Sequence, residues 1–175
     1  MSTVDDDSAL VAASLTVWLD GFAFVDRDAD AVTGLLVDSI VEWGRSQRWR
    51  VYRRAPSVLP LPPPYENRHS DLDVACARPT GRPIAIEVDR ADRQRSVEKL
   101  RAEADAGRIA LWVRWGTGRF TDPGPPVHLV TCAVTARRGV TGGRVYSRVP
   151  TTRPAPEHTA VPDPTTASVA PELFE

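Results

Sequence analysis

Four carboxylates stand at alternate positions in two short, strand-like runs: Asp71 and Asp73 before Val74-Ala75-Cys76, and Glu87 and Asp89 within Ile84-Ala85-Ile86-Glu87-Val88-Asp89. Acidic residues are depleted in strands, so four on neighbouring runs call for a reason. Side chains alternate along a strand. Asp71, Asp73, Ala75 and Ala77 are therefore expected on one face, with Leu72, Val74 and Cys76 on the other. Likewise Ala85, Glu87 and Asp89 oppose Ile84, Ile86 and Val88. A three-residue Pro79-Thr80-Gly81 hairpin loop pairs Arg78 with Arg82, which sets Asp73 across from Glu87 and Asp71 across from Asp89. A two-residue loop sets Asp73 against Val88 instead and removes the pair. Directly opposed side chains have Cβ atoms about 4.5–5.5 Å apart, where like charges repel. A divalent cation reverses that sign. Mg²⁺ takes one or two carboxylates and completes its shell with water and phosphate oxygens. Asp73 and Glu87 are thus the candidate metal pair, with Asp71 or Asp89 as an outer ligand; the competing reading is a solvated sheet face.

Other chemistries find less to work with. Cys76 and Cys132 lie far apart in apolar stretches without zinc-site spacing, and a reducing cytoplasm is the simplest home for them. No Ser, Cys and His form a nucleophile motif, and neither a GxGxxG nor a P-loop occurs. His69 stands two residues from Asp71 and is a weaker candidate ligand or base, whereas His128 and His158 have no partner spacing. No apolar run approaches the roughly 20 residues of a membrane span. The apolar stretch 9–19 follows Asp5-Asp6-Asp7 rather than a basic segment, which predicts no secretory leader.

The net charge of −1 hides an uneven distribution. Residues 1–29 carry six acids and one base, residues 149–175 four acids and one base, and residues 30–148 twenty bases and thirteen acids. All the bases but Lys99 are arginine, whose planar fork suits phosphate. Between Trp43 and Arg54, Arg45, Arg48, Arg50, Arg53 and Arg54 interleave with aromatics, a composition fit for phosphate contact and base stacking. Arg90 and Arg93 add charge just beyond Glu87. Nucleic acid, DNA ahead of RNA, is the expected partner.

The elements that must carry these groups follow from periodicity. Helical spacing predicts a helix over 8–20 and a second from an Asp30 cap, with Val32, Leu35, Leu36, Ile40 and Trp43 on one face. A strand is expected over 49–55, and a proline-rich loop over 56–67. The hairpin 71–90 follows, then a helix over 92–106 capped by Asp92 and stopped by Gly107, with Val97, Leu100 and Ala104 inward. Strands are expected over 109–115 and 127–135, with a short edge strand over 144–149. The organisation predicted is an acidic N-terminal segment with one helix over 1–29, an α/β domain over 30–149, and a Pro/Thr/Ala-rich disordered tail over 150–175.

Residues 30–116 resemble the restriction-endonuclease-like, or PD-(D/E)XK, nuclease superfamily, through Ser70-Asp71-Leu72-Asp73-Val74-Ala75, then Ile84-Ala85-Ile86-Glu87-Val88-Asp89, then a helix bearing Lys99. The resemblance implies an α/β core of helix, three-stranded antiparallel meander, helix and strand. It also implies that Asp73, or Asp71, and Glu87 bind Mg²⁺ or Mn²⁺ for phosphodiester hydrolysis in DNA processing or defence. Glu42 stands where many members keep a further acid, and dimers are common among them, so a homodimer is an expectation from the resemblance alone. The sequence departs from the pattern in having no proline before Asp71 and Asp89 in place of the motif lysine. Lys99, on the next helix, is the candidate replacement. The rival expectation is a nuclease-like fold without catalysis that binds nucleic acid or protein; a third is a basic module docking on an acidic partner.

Overall fold

The structure, a computed structural model, describes residues 3–150. The chain runs α1 (Thr3–Asp20), β1 (Phe24–Arg27), α2 (Ala29–Ser46), β2 (Arg50–Pro60), β3 (His69–Ala77), β4 (Ile84–Asp89), α3 (Gln94–Asp105), β5 (Ile109–Gly116), β6 (Val127–Ala133), β7 (Thr135–Arg138) and β8 (Arg144–Arg148). The expected tail lies, from residue 151 on, outside the described residues.

Two sheets form. The larger is mixed, in the order β2-β3-β4-β5-β6. β2, β3 and β4 make an antiparallel meander; α3 then carries the chain over to β5, which runs parallel to β4, and β6 runs parallel to β5. Every residue of β4 and β5 is buried, as expected of central strands covered on both faces. On one face, α1 and α2 bury Leu15, Leu19, Leu36 and Ile40 against Val74, Ile86, Leu111 and Trp115. On the other, Leu100 of α3 packs with Leu72, Ala85, Ala110 and Trp112. The protein is a helix–sheet–helix sandwich of the α/β class, and α1 shares the main core. Among the described residues, no helix is long and apolar enough to cross a membrane.

Several local expectations need correction. Asp28, with extended backbone, caps α2 by accepting the Ala31 N–H at 2.8 Å, and Asp30 lies inside the first turn. Asp92 does not cap α3; its carboxylate pairs with Arg114 instead. Gly107 does follow α3, at φ +86. β2 continues through Pro56 to Pro60, which is allowed because β2 is the sheet's edge and a proline there forfeits no ladder bond. Glu103 fixes that half of β2: fully buried on α3, it accepts the Ser57 hydroxyl at 2.6 Å and the Val58 N–H at 2.7 Å, and pairs with Arg108 at 2.6 Å. The expected strand over 127–135 breaks at Val134, and the chain enters the second sheet, whose order is β1-β8-β7. β8 is therefore central, and β1 pairs with it from the segment between the two expected N-terminal helices.

Candidate active site

The β3–β4 register matches the three-residue-loop reading, with Val74 opposite Ile86, Ala75 opposite Ala85 and Cys76 opposite Ile84. The backbone ladder ends at Val74 and Ile86, and beyond it side chains replace main chain. The Asp73 N–H donates to Glu87 Oε1 at 3.3 Å, and the Val88 N–H donates to Asp73 Oδ2 at 2.8 Å. Alternation along β3 also breaks here, because Leu72 packs on the α3 side and Val74 on the α1–α2 side. Arg54, on the facing stretch of β2, takes φ +50. The irregularity opens the sheet where the two acids stand.

A cleft of about 480 Å³ occupies this opening, and Asp73, Glu87, Asp89, Arg93 and Lys99 are among its lining residues. Lys99 reaches in from α3. Its Nζ lies 3.0 Å from Glu87 Oε1 and donates to the Asp71 carbonyl at 2.5 Å, rather than pairing with Glu103 one turn on. Ser96 donates more loosely to Glu87 Oε2, at 3.4 Å. Burial and the neighbouring Asp73 push the Glu87 carboxyl up to about 7, against the pull of Lys99. Burial also raises Asp73, opposed by its bond from the Val88 N–H. A buried Glu87 beside a half-buried Asp73, opening onto solvent, makes a donor set suited to Mg²⁺, which needs only one or two carboxylates. Among the described residues, no group of three or more His, Cys, Asp or Glu side chains is arranged to hold a metal ion.

The remaining candidates divide. Asp89 is buried in the cleft wall, where its Oδ2 accepts the Trp112 indole N–H at 2.9 Å and its Oδ1 lies 3.4 Å from Arg93. The Asp71 carboxylate is half-exposed and pairs with Arg54 at 3.3 Å, outside the cleft lining, so only its main chain takes part. Glu42 is exposed, paired with Arg45 at 2.7 Å and remote from the cleft. Ala29, Asp30 and Thr33 are the α2 residues that line it. Topology explains the exchange. α2 turns back into β2 through three residues, and β2 runs in the same direction as β4, so the first turn of α2 lies near the carboxyl end of β4. Glu42 stands twelve residues on, about 18 Å along the axis.

Arg90 and Arg93 reach the cleft, Arg90 also donating to the Tyr146 hydroxyl at 2.7 Å. Arg53 pairs with Asp38 at 2.5 Å, and Arg48 and Arg50 are exposed; none of these three lines the cleft. Trp43 is buried and packs edge-on against Trp49, which leaves Tyr52 as the exposed aromatic of this segment. His69 Nδ1 bonds the Ser57 carbonyl at 2.8 Å, away from the acids. Comparison with protein-family models, curated proteins and solved structures found no match.

Proposed function

We propose that this chain is a Mg²⁺- or Mn²⁺-dependent nuclease that hydrolyses phosphodiester bonds in DNA, built on a restriction-endonuclease-like core. The order α2, β2–β4 meander, α3, β5 agrees with that reading. The observation that carries it is the convergence of Asp73, Glu87 and Lys99 at the opened end of β3 and β4, with Lys99 Nζ 3.0 Å from Glu87. A departure in the sequence thereby gains a rationale. Asp89 holds the motif lysine's place, yet a lysine from α3 brings its ammonium to the same carboxylate.

Asp73 and Glu87 are the residues that would hold the cation. Once bound, the ion supplies Lewis-acid stabilisation of phosphate charge and lowers the pKa of nearby water. Lys99, steered by the Asp71 carbonyl, keeps a fixed positive charge beside Glu87, where it orients the attacking water and opposes developing negative charge. Arg93, anchored by Asp89, and Arg90, anchored by Tyr146, present guanidinium groups at the cleft to a substrate phosphate. Trp112 fixes Asp89 from beneath.

The test is incubation with duplex DNA, single-stranded DNA and RNA, with Mg²⁺, Mn²⁺ or chelator. Metal-dependent cleavage of DNA, reduced more than about 100-fold by Asp73→Ala or Glu87→Ala, is the expected result. Cleavage unchanged by Glu87→Ala contradicts the assignment. Asp89 in the lysine's place favours a second reading, a binding module without catalysis, and salt-sensitive DNA binding with no cleavage in either metal selects it.

A further inference from the structure

The second sheet carries a feature that the cleft does not use. Residues 135–148, which form β7, its turn and β8, contain four arginines and no acid. Two of the four are engaged: Arg137 pairs with Asp26 of β1, and Arg148 is buried against Cys132 and Asp20. The other two, Arg138 and Arg144, are exposed and lie directly opposite each other across the ribbon. Neither makes an ion pair among the described residues. Like charges in direct cross-strand register destabilise a sheet, so the fold carries this pair at a cost that a bound polyanion would reverse.

Alternation places the pair. Arg144 shares a face with Tyr146 two residues on, and Arg138 shares it by pairing, as does Ala136 opposite Tyr146. The Tyr146 hydroxyl accepts from Arg90, and its ring packs edge-on against Trp115; both of those residues line the cleft. The arginine pair therefore extends the sheet face that borders the cleft, about 7 Å further along the strands. A groove of about 450 Å³ at this end of the ribbon is lined by Ala136, Arg137, Arg138, Gly142 and Arg144.

We infer that Arg138 and Arg144 grip the phosphate backbone of double-stranded DNA beside the cleft, with the β7–β8 ribbon lying in a groove of the duplex. A two-stranded ribbon fits the major groove of B-DNA. The turn Gly139-Val140-Thr141-Gly142-Gly143 is slim, and Val140 at its tip is fully exposed. Single strands are held by stacking bases on exposed aromatics, and the ribbon's one aromatic, Tyr146, is buried. The inference rests on the nuclease reading for what happens in the cleft, and it names the substrate as duplex.

The experiment measures binding in chelator, so cleavage does not enter. Fluorescence anisotropy of a labelled duplex and of its single strand is followed between 50 and 200 mM salt, for the full chain, for Arg138→Ala with Arg144→Ala, and for Arg138→Lys with Arg144→Lys. The alanine pair should weaken duplex binding about tenfold or more and lower the log–log salt slope by about two, while the lysine pair keeps the slope. Relief of the cross-strand repulsion should leave the melting temperature of the alanine pair at or above that of the parent. Equal duplex affinity and slope in parent and alanine pair, or single strands bound as tightly as duplex, overturns the inference. Duplex binding lost in the alanine pair, with no cleavage by the parent in Mg²⁺, supports the ribbon and overturns the nuclease reading alone.

Discussion

Glu87→Gln should stabilise the metal-free protein while abolishing cleavage. Burial and Asp73 raise the Glu87 carboxyl from 4.5 to about 7, so the folded protein favours its neutral form. The cost of this shift is absent below about pH 4.5, grows as pH rises and is complete above about pH 7, because the folded state then carries a charge that the unfolded chain holds more easily. The shift corresponds to about 3 kcal/mol at pH 8, as a ceiling. Glutamine has the same shape without the charge, and its carbonyl still faces Lys99. In chelator at pH 8 the variant should therefore resist urea better by up to about 3 kcal/mol, a gain of up to roughly 6–12 °C in melting temperature. Near pH 4 the two proteins should melt together. Saturating Mg²⁺ should then close the gap from below, since only the parent gains from binding, by about 2.7 kcal/mol at 100 times its Kd. The opposite sign refutes the reasoning. If Lys99–Glu87 is a structural ion pair, removing one partner costs about 3–5 kcal/mol, and the variant is the less stable protein at pH 8.

Because the cation competes with a proton on Glu87, Mn²⁺ affinity and metal-dependent cleavage should both rise as pH passes through about 7, read by calorimetric titration and by initial rates. Lys99→Met removes the charge that holds Glu87 down, so it should move that pH profile upward and weaken Mn²⁺ binding more at pH 7 than at pH 9. Glu103→Ala strands the Ser57 hydroxyl, the Val58 N–H and Arg108. It should cost about 3 kcal/mol by urea denaturation and leave the affinity of the folded protein for Mn²⁺ unchanged.

Much of this arrangement could be read from local chemistry. The Pro79-Thr80-Gly81 loop length set the register that brings Asp73 to Glu87, and the 3.6-residue pattern of Val32, Leu36, Ile40 and Trp43 set the buried face of α2. Helix ends were less legible, because Asp28 and Asp30 both offer a capping oxygen and only backbone conformation decides between them. The break of alternation at Asp73 has no local signal, since it arises where side chains replace the β3–β4 ladder. It explains why Asp71, one alternation away from Asp73 in sequence, gives its carboxylate to Arg54 rather than to the cleft. Asp30 was hidden for a topological reason: its place near Glu87 follows from the direction of α2 relative to β4, which pattern along the chain does not reveal. The extension of β2 through Pro56 and Pro60 likewise depends on its edge position, a property of the whole sheet.

The central claim is that Asp73 and Glu87 share one divalent cation. Anomalous diffraction from a crystal of the protein grown at pH 8 and soaked in Mn²⁺ tests it most directly. A Mn²⁺ peak in the cleft about 2.1 Å from an oxygen of each carboxylate is expected. A saturated soak with no peak there, and with the Lys99–Glu87 contact intact, contradicts it.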